Sequence, residues 1–194
     1  MKKFIIYTFI TLSTLSIQAV KMDANNKLNI LENGYAPLHN AVTDENVENV
    51  KSLLKKGTNI NLPDSYGRTP LWRASERNNK EIVSILIDFG AKIDIKSQGG
   101  WTALHVAAGD GNTDAVKLLV KAGADVNIQN DDGETALHAA AHFELIEKTT
   151  DYIKIINLLI KANANKNICN KNNETPLIIA INEKQPEETI KSLK

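Results

Sequence analysis

Gly100-Trp101-Thr102-Ala103-Leu104-His105-Val106-Ala107-Ala108 recurs in variant form along most of the chain. Upstream stand Gly34-Tyr35-Ala36-Pro37-Leu38-His39-Asn40-Ala41-Val42 and Gly67-Arg68-Thr69-Pro70-Leu71-Trp72-Arg73-Ala74-Ser75. Downstream stand Gly133-Glu134-Thr135-Ala136-Leu137-His138-Ala139-Ala140-Ala141 and Asn173-Glu174-Thr175-Pro176-Leu177-Ile178-Ile179-Ala180-Ile181. The leucines Leu38, Leu71, Leu104 and Leu137 are 33 residues apart, and Leu177 follows after 40. A fixed period of that size is the signature of a repeat array.

Each copy continues in register. Nineteen residues after the leucine come Gly57, Gly90 and Gly123, with Asn163 at the matching place in the lengthened fourth copy. The second copy shows the physics of one unit. Thr69 is suited to cap a helix that Pro70 begins, because the missing proline N–H would have no intrahelical partner. Leu71, Ala74, Ser75 and Asn78 fall at helical spacing on one face, with Arg73 and Arg77 on the other. A second helix spans Glu81 to Ile87 and stops before Gly90, which can take the left-handed cap. A polar turn leads to the next copy. One such pair cannot bury its own apolar face, so neighbours must stack.

These motifs resemble the ankyrin repeat, whose pattern runs G-x-T-P-L-H-x-A-A, a second helix ending in paired leucines, then G-A-D-V-N. The resemblance covers Gly34 to the C-terminus. It implies an all-α solenoid of helix-turn-helix units joined by β-hairpin-like turns. The expected units are 34–66, 67–99, 100–132, 133–172 and a C-terminal cap at 173–194. Residues 1–19 read as a signal peptide and 20–33 as a flexible start and N-terminal cap.

The opening has Lys2 and Lys3, an uncharged apolar run from Phe4 to Ile17, then Gln18-Ala19, the layout of a secretory signal peptide. An uncleaved anchor is the alternative, but fourteen uncharged residues from 4 to 17 are short for a span of about 20. Cleavage would leave 21 basic against 23 acidic residues, a net charge of −2. The lysines are interspersed with carboxylates, which speaks against nucleic acid as a partner. The abundance of Lys, Asn and Ile over Arg suits an AT-rich bacterial genome. The single cysteine, Cys169, excludes an internal disulfide and falls in an exposed turn.

The fourth unit carries seven added residues, about Glu144 to Thr150. They are expected to extend its first helix through Phe143 to Lys148, with Thr149 or Thr150 capping the second. A protruding specificity feature and a tolerated insertion are both open.

His39, His105 and His138 occupy the motif histidine, a structural side chain in the family, bonded to backbone near the turns. Trp72 and Ile178 take that place in the other units. His138 and His142 share helical spacing, but Ala139 stands where a zinc hydrolase needs glutamate, and two ligands fall short of a zinc site. No phosphate-binding loop or nucleophile motif occurs. The reading is a monomeric, non-enzymatic module without cofactor or metal, which after signal removal binds another protein and no membrane. A periplasmic assembly factor or enzyme inhibitor is the alternative, and a metal-dependent enzyme on His138 and His142 a remote one.

Candidate contacts come from composition. The three arginines Arg68, Arg73 and Arg77 and both tryptophans, Trp72 and Trp101, lie within units two and three. Arg, Trp and Tyr dominate binding hot spots. Tyr66, Arg68, Arg73 and Trp101 are therefore the expected partner-binding residues, on the concave face and turn tips of units two and three. Arg77 is assigned to pairing with Asp44 and Asp110 one unit to either side. Arg73 is placed at the centre because only Asn40 and Val106 occupy the neighbouring positions.

Overall fold

A computed structural model describes residues 19–22, 28–31, 37–142 and 149–194. The repeats fold as helix pairs: α1 (Pro37–Thr43) with α2 (Val47–Lys55), α3 (Pro70–Glu76) with α4 (Lys80–Asp88), and α5 (Ala103–Gly109) with α6 (Thr113–Lys121). Then follow α7 (Ala136–Ala141), α8 (Thr149–Lys161), α9 (Pro176–Asn182) and α10 (Glu187–Leu193). Odd-numbered helices stack on one another in order from α1 to α9, and α2, α4, α6 and α8 do the same behind them. α10 packs on α8 and α9 and closes that end.

The motif explains each first helix. Thr69 accepts the Trp72 N–H through its hydroxyl and Pro70 occupies the first turn. Leu38, Leu71, Leu104 and Leu137, with Ala74, Ala107, Ala108 and Ala140, are buried between units, and the small side chains let successive helices approach closely. Ile82, Leu86, Val116, Leu119, Ile155 and Leu159 supply the bulk from the second helices. Thr189 and Leu193 are buried under the terminal cap, and Ile190 is half-buried. The helices stop one step earlier than the apolar spacing suggests. Arg77 is the C-cap of α3, and Asn78 is an exposed turn residue at φ 53°.

Two expectations need correction. The segment before the first unit contains two antiparallel strands, β1 (Ala19–Met22) and β2 (Leu28–Leu31), with Ala19 paired to Leu31 and Met22 to Leu28. β2 lies against α1, so a strand pair lies in the segment read as a flexible start and N-terminal cap. In the fourth unit α7 ends at Ala141 with His142 as its C-cap, like its counterparts, so the first helix is not prolonged. The extension expected at Phe143 to Lys148 lies outside the described residues. The added length enters the second helix instead: α8 has 13 residues where α6 has 9. Four residues are about one turn, so the paired leucines Leu158 and Leu159 keep the register of Leu118 and Leu119.

Candidate functional site

Between units, each connection is a tight hairpin built on a four-residue spacing. Asp64, Ser97, Asn130 and Asn170 each pair their backbone N–H with the carbonyl four residues on: Arg68, Trp101, Glu134 and Glu174. In three of them the side-chain Oδ1 also accepts two backbone N–H groups, for example Tyr66 N at 2.8 Å and Arg68 N at 2.9 Å on Asp64. Neighbouring tips are joined in series by Gln98 N to Tyr66 O, Asp131 N to Gly99 O and Lys171 N to Asp132 O.

The motif histidines fasten each helix to the next hairpin. His39, His105 and His138 place Nε2 at 2.9, 3.0 and 3.1 Å from the carbonyls of Arg68, Glu134 and Glu174. In His105 and His138 the Nδ1 accepts the backbone N–H of Thr102 or Thr135, so Nε2 carries the proton and donates. Burial lowers the pKa of all three below the ordinary imidazole value, against the carbonyl bonds that favour the charged form. These neutral rings are structural, as the motif implies. His138 has both nitrogens engaged and does not join His142 in a ligand pair. His39 Nδ1 is buried without a partner among the described residues.

Unit two departs from this pattern. Trp72 takes the histidine place, and Ser97 takes the place of Asn or Asp in the following hairpin. Trp101 O accepts the Ser97 N–H at 2.9 Å and the Ser97 hydroxyl at 3.1 Å, and no histidine reaches it. The buried Trp72 Nε1 has no partner among the described residues. Trp72 and Ser97 line a cleft of about 380 Å³, together with Tyr66, Arg68, Gln98 and Trp101. Trp101 lies over Gly99, where a Cβ would come within 3.2 Å of its ring, and meets His105 edge-on at 5.8 Å. Arg68 stacks over Tyr66 at 4.4 Å and lies 5.4 Å from the Trp72 ring.

Tyr66, Arg68 and Trp101 thus converge on one surface, Tyr66 being 53% exposed. Arg73 has a different place from the one expected. Its guanidinium lies 3.3 Å from Asp64 and 3.2 Å from Glu76, and its side chain is only 16% exposed. Asp64 is the reason. Its side chain is fully buried, and Arg68 Nε bonds the same oxygen at 2.9 Å. Burial pushes the Asp64 carboxyl pKa up, but the backbone N–H groups of Arg68 and Tyr66 and the Arg68 side chain bring it below the ordinary value. Arg73 therefore braces the hairpin rather than heading the surface. Of the first-helix positions equivalent to Arg73, Val106, Ala139 and Ile179 are buried and Asn40 is half-buried, so they contribute little contact area. Arg77 is exposed at the C-cap of α3. Trp72 is the cleft residue the composition pointed to without assigning; its departure from the motif was the available signal.

At the other end, His142 stands between two carboxylates, with Nε2 3.5 Å from Glu134 and Nδ1 3.6 Å from Glu183. The bond with Glu134 raises the His142 pKa, burial opposes it, and the charges of Glu134, Glu183 and Glu174 add to the rise. Cys169 is an exposed free thiol in its hairpin. Among the described residues no helix is long and apolar enough to cross a membrane.

A stack of helix pairs fastened through hairpins defines a repeat solenoid. A family profile described as ankyrin repeats in three copies matches residues 10–97 and 89–149, and a single ankyrin repeat profile matches 132–171. The chain belongs to the ankyrin-repeat family, whose members generally mediate protein–protein interaction and are typically non-catalytic. No curated protein matches the chain.

Proposed function

We propose that this chain is an exported, non-catalytic module that binds another protein through the hairpin tips of units two and three. The observation that carries the reading is the aromatic cleft: both tryptophans and the exposed Tyr66 meet where the motif is broken. Tyr66, Arg68, Trp72 and Trp101 form the contact surface, and Arg73 holds Asp64 and the hairpin beneath it. Aromatic anchors in a partly desolvated pocket carry most of the energy at such surfaces, and truncating one costs about 2 kcal/mol or more, roughly thirtyfold in affinity.

Export rests on Lys2, Lys3 and the uncharged run to Ile17. The mature chain begins near Val20 and acts in the periplasm or outside the cell. N-terminal sequencing of the protein from a cell fraction checks this, and a soluble cytoplasmic chain starting at Met1 sinks it. For binding, the comparison is Tyr66→Ala with Trp101→Ala against Glu144→Ala with Lys148→Ala on the insert. Affinity for the captured partner should collapse with the first pair and survive the second; the reverse outcome moves the contact surface to unit four.

A further inference from the structure

We propose that the cleft between the second and third units takes a proline-rich segment in extended, polyproline conformation. This rests on the reading that the cleft is the contact surface and names the chemistry of its occupant. The cleft asks for no charge. Arg68 and Arg73 share the fully buried Asp64, and Arg73 also reaches Glu76, so two guanidiniums face two carboxylates. An acidic segment would compete with Asp64 and Glu76 for guanidiniums that are already paired. A basic one would meet Arg68 on the face of Tyr66. The occupant that fits is neutral.

Its shape follows from the walls. Tyr66, Trp72 and Trp101 offer ring faces and edges on which flat pyrrolidine rings pack. The polar groups on those rings are donors: among the described residues neither the Tyr66 hydroxyl nor the Trp101 indole N–H makes a hydrogen bond. The Ser97 hydroxyl and one N–H of the Gln98 amide are engaged by the carbonyls of Trp101 and Ser65. Ring donors without acceptors suit a backbone whose carbonyls are free and whose residues bring few N–H groups to satisfy. Proline runs have that backbone, and the polyproline helix is formed before binding, so little entropy is lost.

Both tryptophans of the chain line the cleft, so their emission reports its occupancy. The test titrates end-capped decaproline into the full-length protein, with a Gly/Ser peptide of equal length, decaglutamate and a neutral oligosaccharide as comparators. Decaproline should give a saturable change in tryptophan emission, and the comparators none. Trp101→Ala should weaken binding at least tenfold, and Tyr66→Phe, which keeps the ring and the fold, about threefold or more. Absence of a decaproline response overturns the proposal. So does a preference for decaglutamate or the oligosaccharide, or an unchanged affinity in Tyr66→Phe and Trp101→Ala. If decaproline fails while a captured partner still depends on Tyr66 and Trp101, the contact surface stands and only its occupant is wrong.

Discussion

The hairpin that opens unit two and the hairpins that open units four and five solve one geometric problem with opposite charges. In each, a residue at the start of the turn gathers backbone N–H groups and then secures the side chain four residues later. In unit two the pair is Asp64 with Arg68, a buried carboxylate holding a cation at 2.9 Å. In units four and five Asn130 and Asn170 instead donate Nδ2 to Glu134 and Glu174, both at 3.1 Å. The backbone demands only an acceptor oxygen. The remaining atoms of the side chain decide whether the surface beside it is guanidinium or carboxylate. The second and third units thereby build an aromatic, internally neutral cleft, and the last two an acidic edge mediated by His142. Scaffold and surface are written into the same side chain.

The largest effect that separates the two ends should come from the turn glycine. At the last hairpin Asn173 adopts φ 60° with a side chain, so the left-handed turn alone does not demand glycine. Gly100 has φ 77°, and a Cβ there would lie 2.6 Å from Asp131 Oδ1 and 2.7 Å from Asp131 N. Gly100→Val adds that overlap to the strain of a β-branched residue in this conformation, at a cost of about 3 kcal/mol. Chemical denaturation with a loss below about 1 kcal/mol would mean that the next hairpin yields easily.

Next comes Asp64→Asn, which leaves Arg68 and Arg73 without their shared carboxylate and should cost about 2–3 kcal/mol. The double variant Asp64→Asn with Arg68→Glu turns this hairpin into a copy of the unit-four one, and should recover part of that loss in a double-mutant cycle. No recovery would show that Arg73, and not Arg68, sets the value of Asp64.

A smaller gain is expected from restoring the motif. Trp72→His with Ser97→Asn offers Trp101 O the histidine bond present at the other units, for about 1 kcal/mol of added stability. The same change removes a cleft wall, so thermal stability should rise as cleft binding falls. If both rise, Trp72 has no part in binding.

The mildest test concerns pH. His142 has a raised pKa in the folded chain, so its contribution is present below the ordinary imidazole pKa and is lost as pH rises through the folded value. His39, His105 and His138 have lowered values and act in the opposite sense, with stability lost on acidification below the ordinary pKa. Denaturation of His142→Gln should therefore show a larger deficit against wild type at pH 6 than at pH 8. A deficit independent of pH would remove the charge from the explanation.

Much of this was legible in the residues. The 33-residue step, Thr69-Pro70 and the glycines that end the second helices dictate local geometry directly, and the helices and turns formed there. The cleft was half legible: composition singled out Tyr66, Arg68 and Trp101, but Trp72 was taken as a motif variant because its meaning depends on Ser97 in the hairpin that follows. Arg73 was misplaced for a related reason. Its partner Asp64 is nine residues earlier, in a hairpin whose inward carboxylate cannot be distinguished in the sequence from a solvated turn residue. Helical periodicity also does not say where an inserted turn goes: α7 stops at its His142 cap, and α8 is four residues longer than α6.

The tip-to-tip bonds, Tyr66 with Gln98, Gly99 with Asp131 and Asp132 with Lys171, run along the stack and not around it. Under tension between its termini, each joint bears the full load, and nothing from a distant unit shares it. Extension should then release one repeat at a time, each freeing about 110–120 Å of chain for 33 residues and about 130–140 Å for the 40-residue unit. The joint beneath Trp72, which lacks the histidine fastening, is the one expected to part at the lowest force.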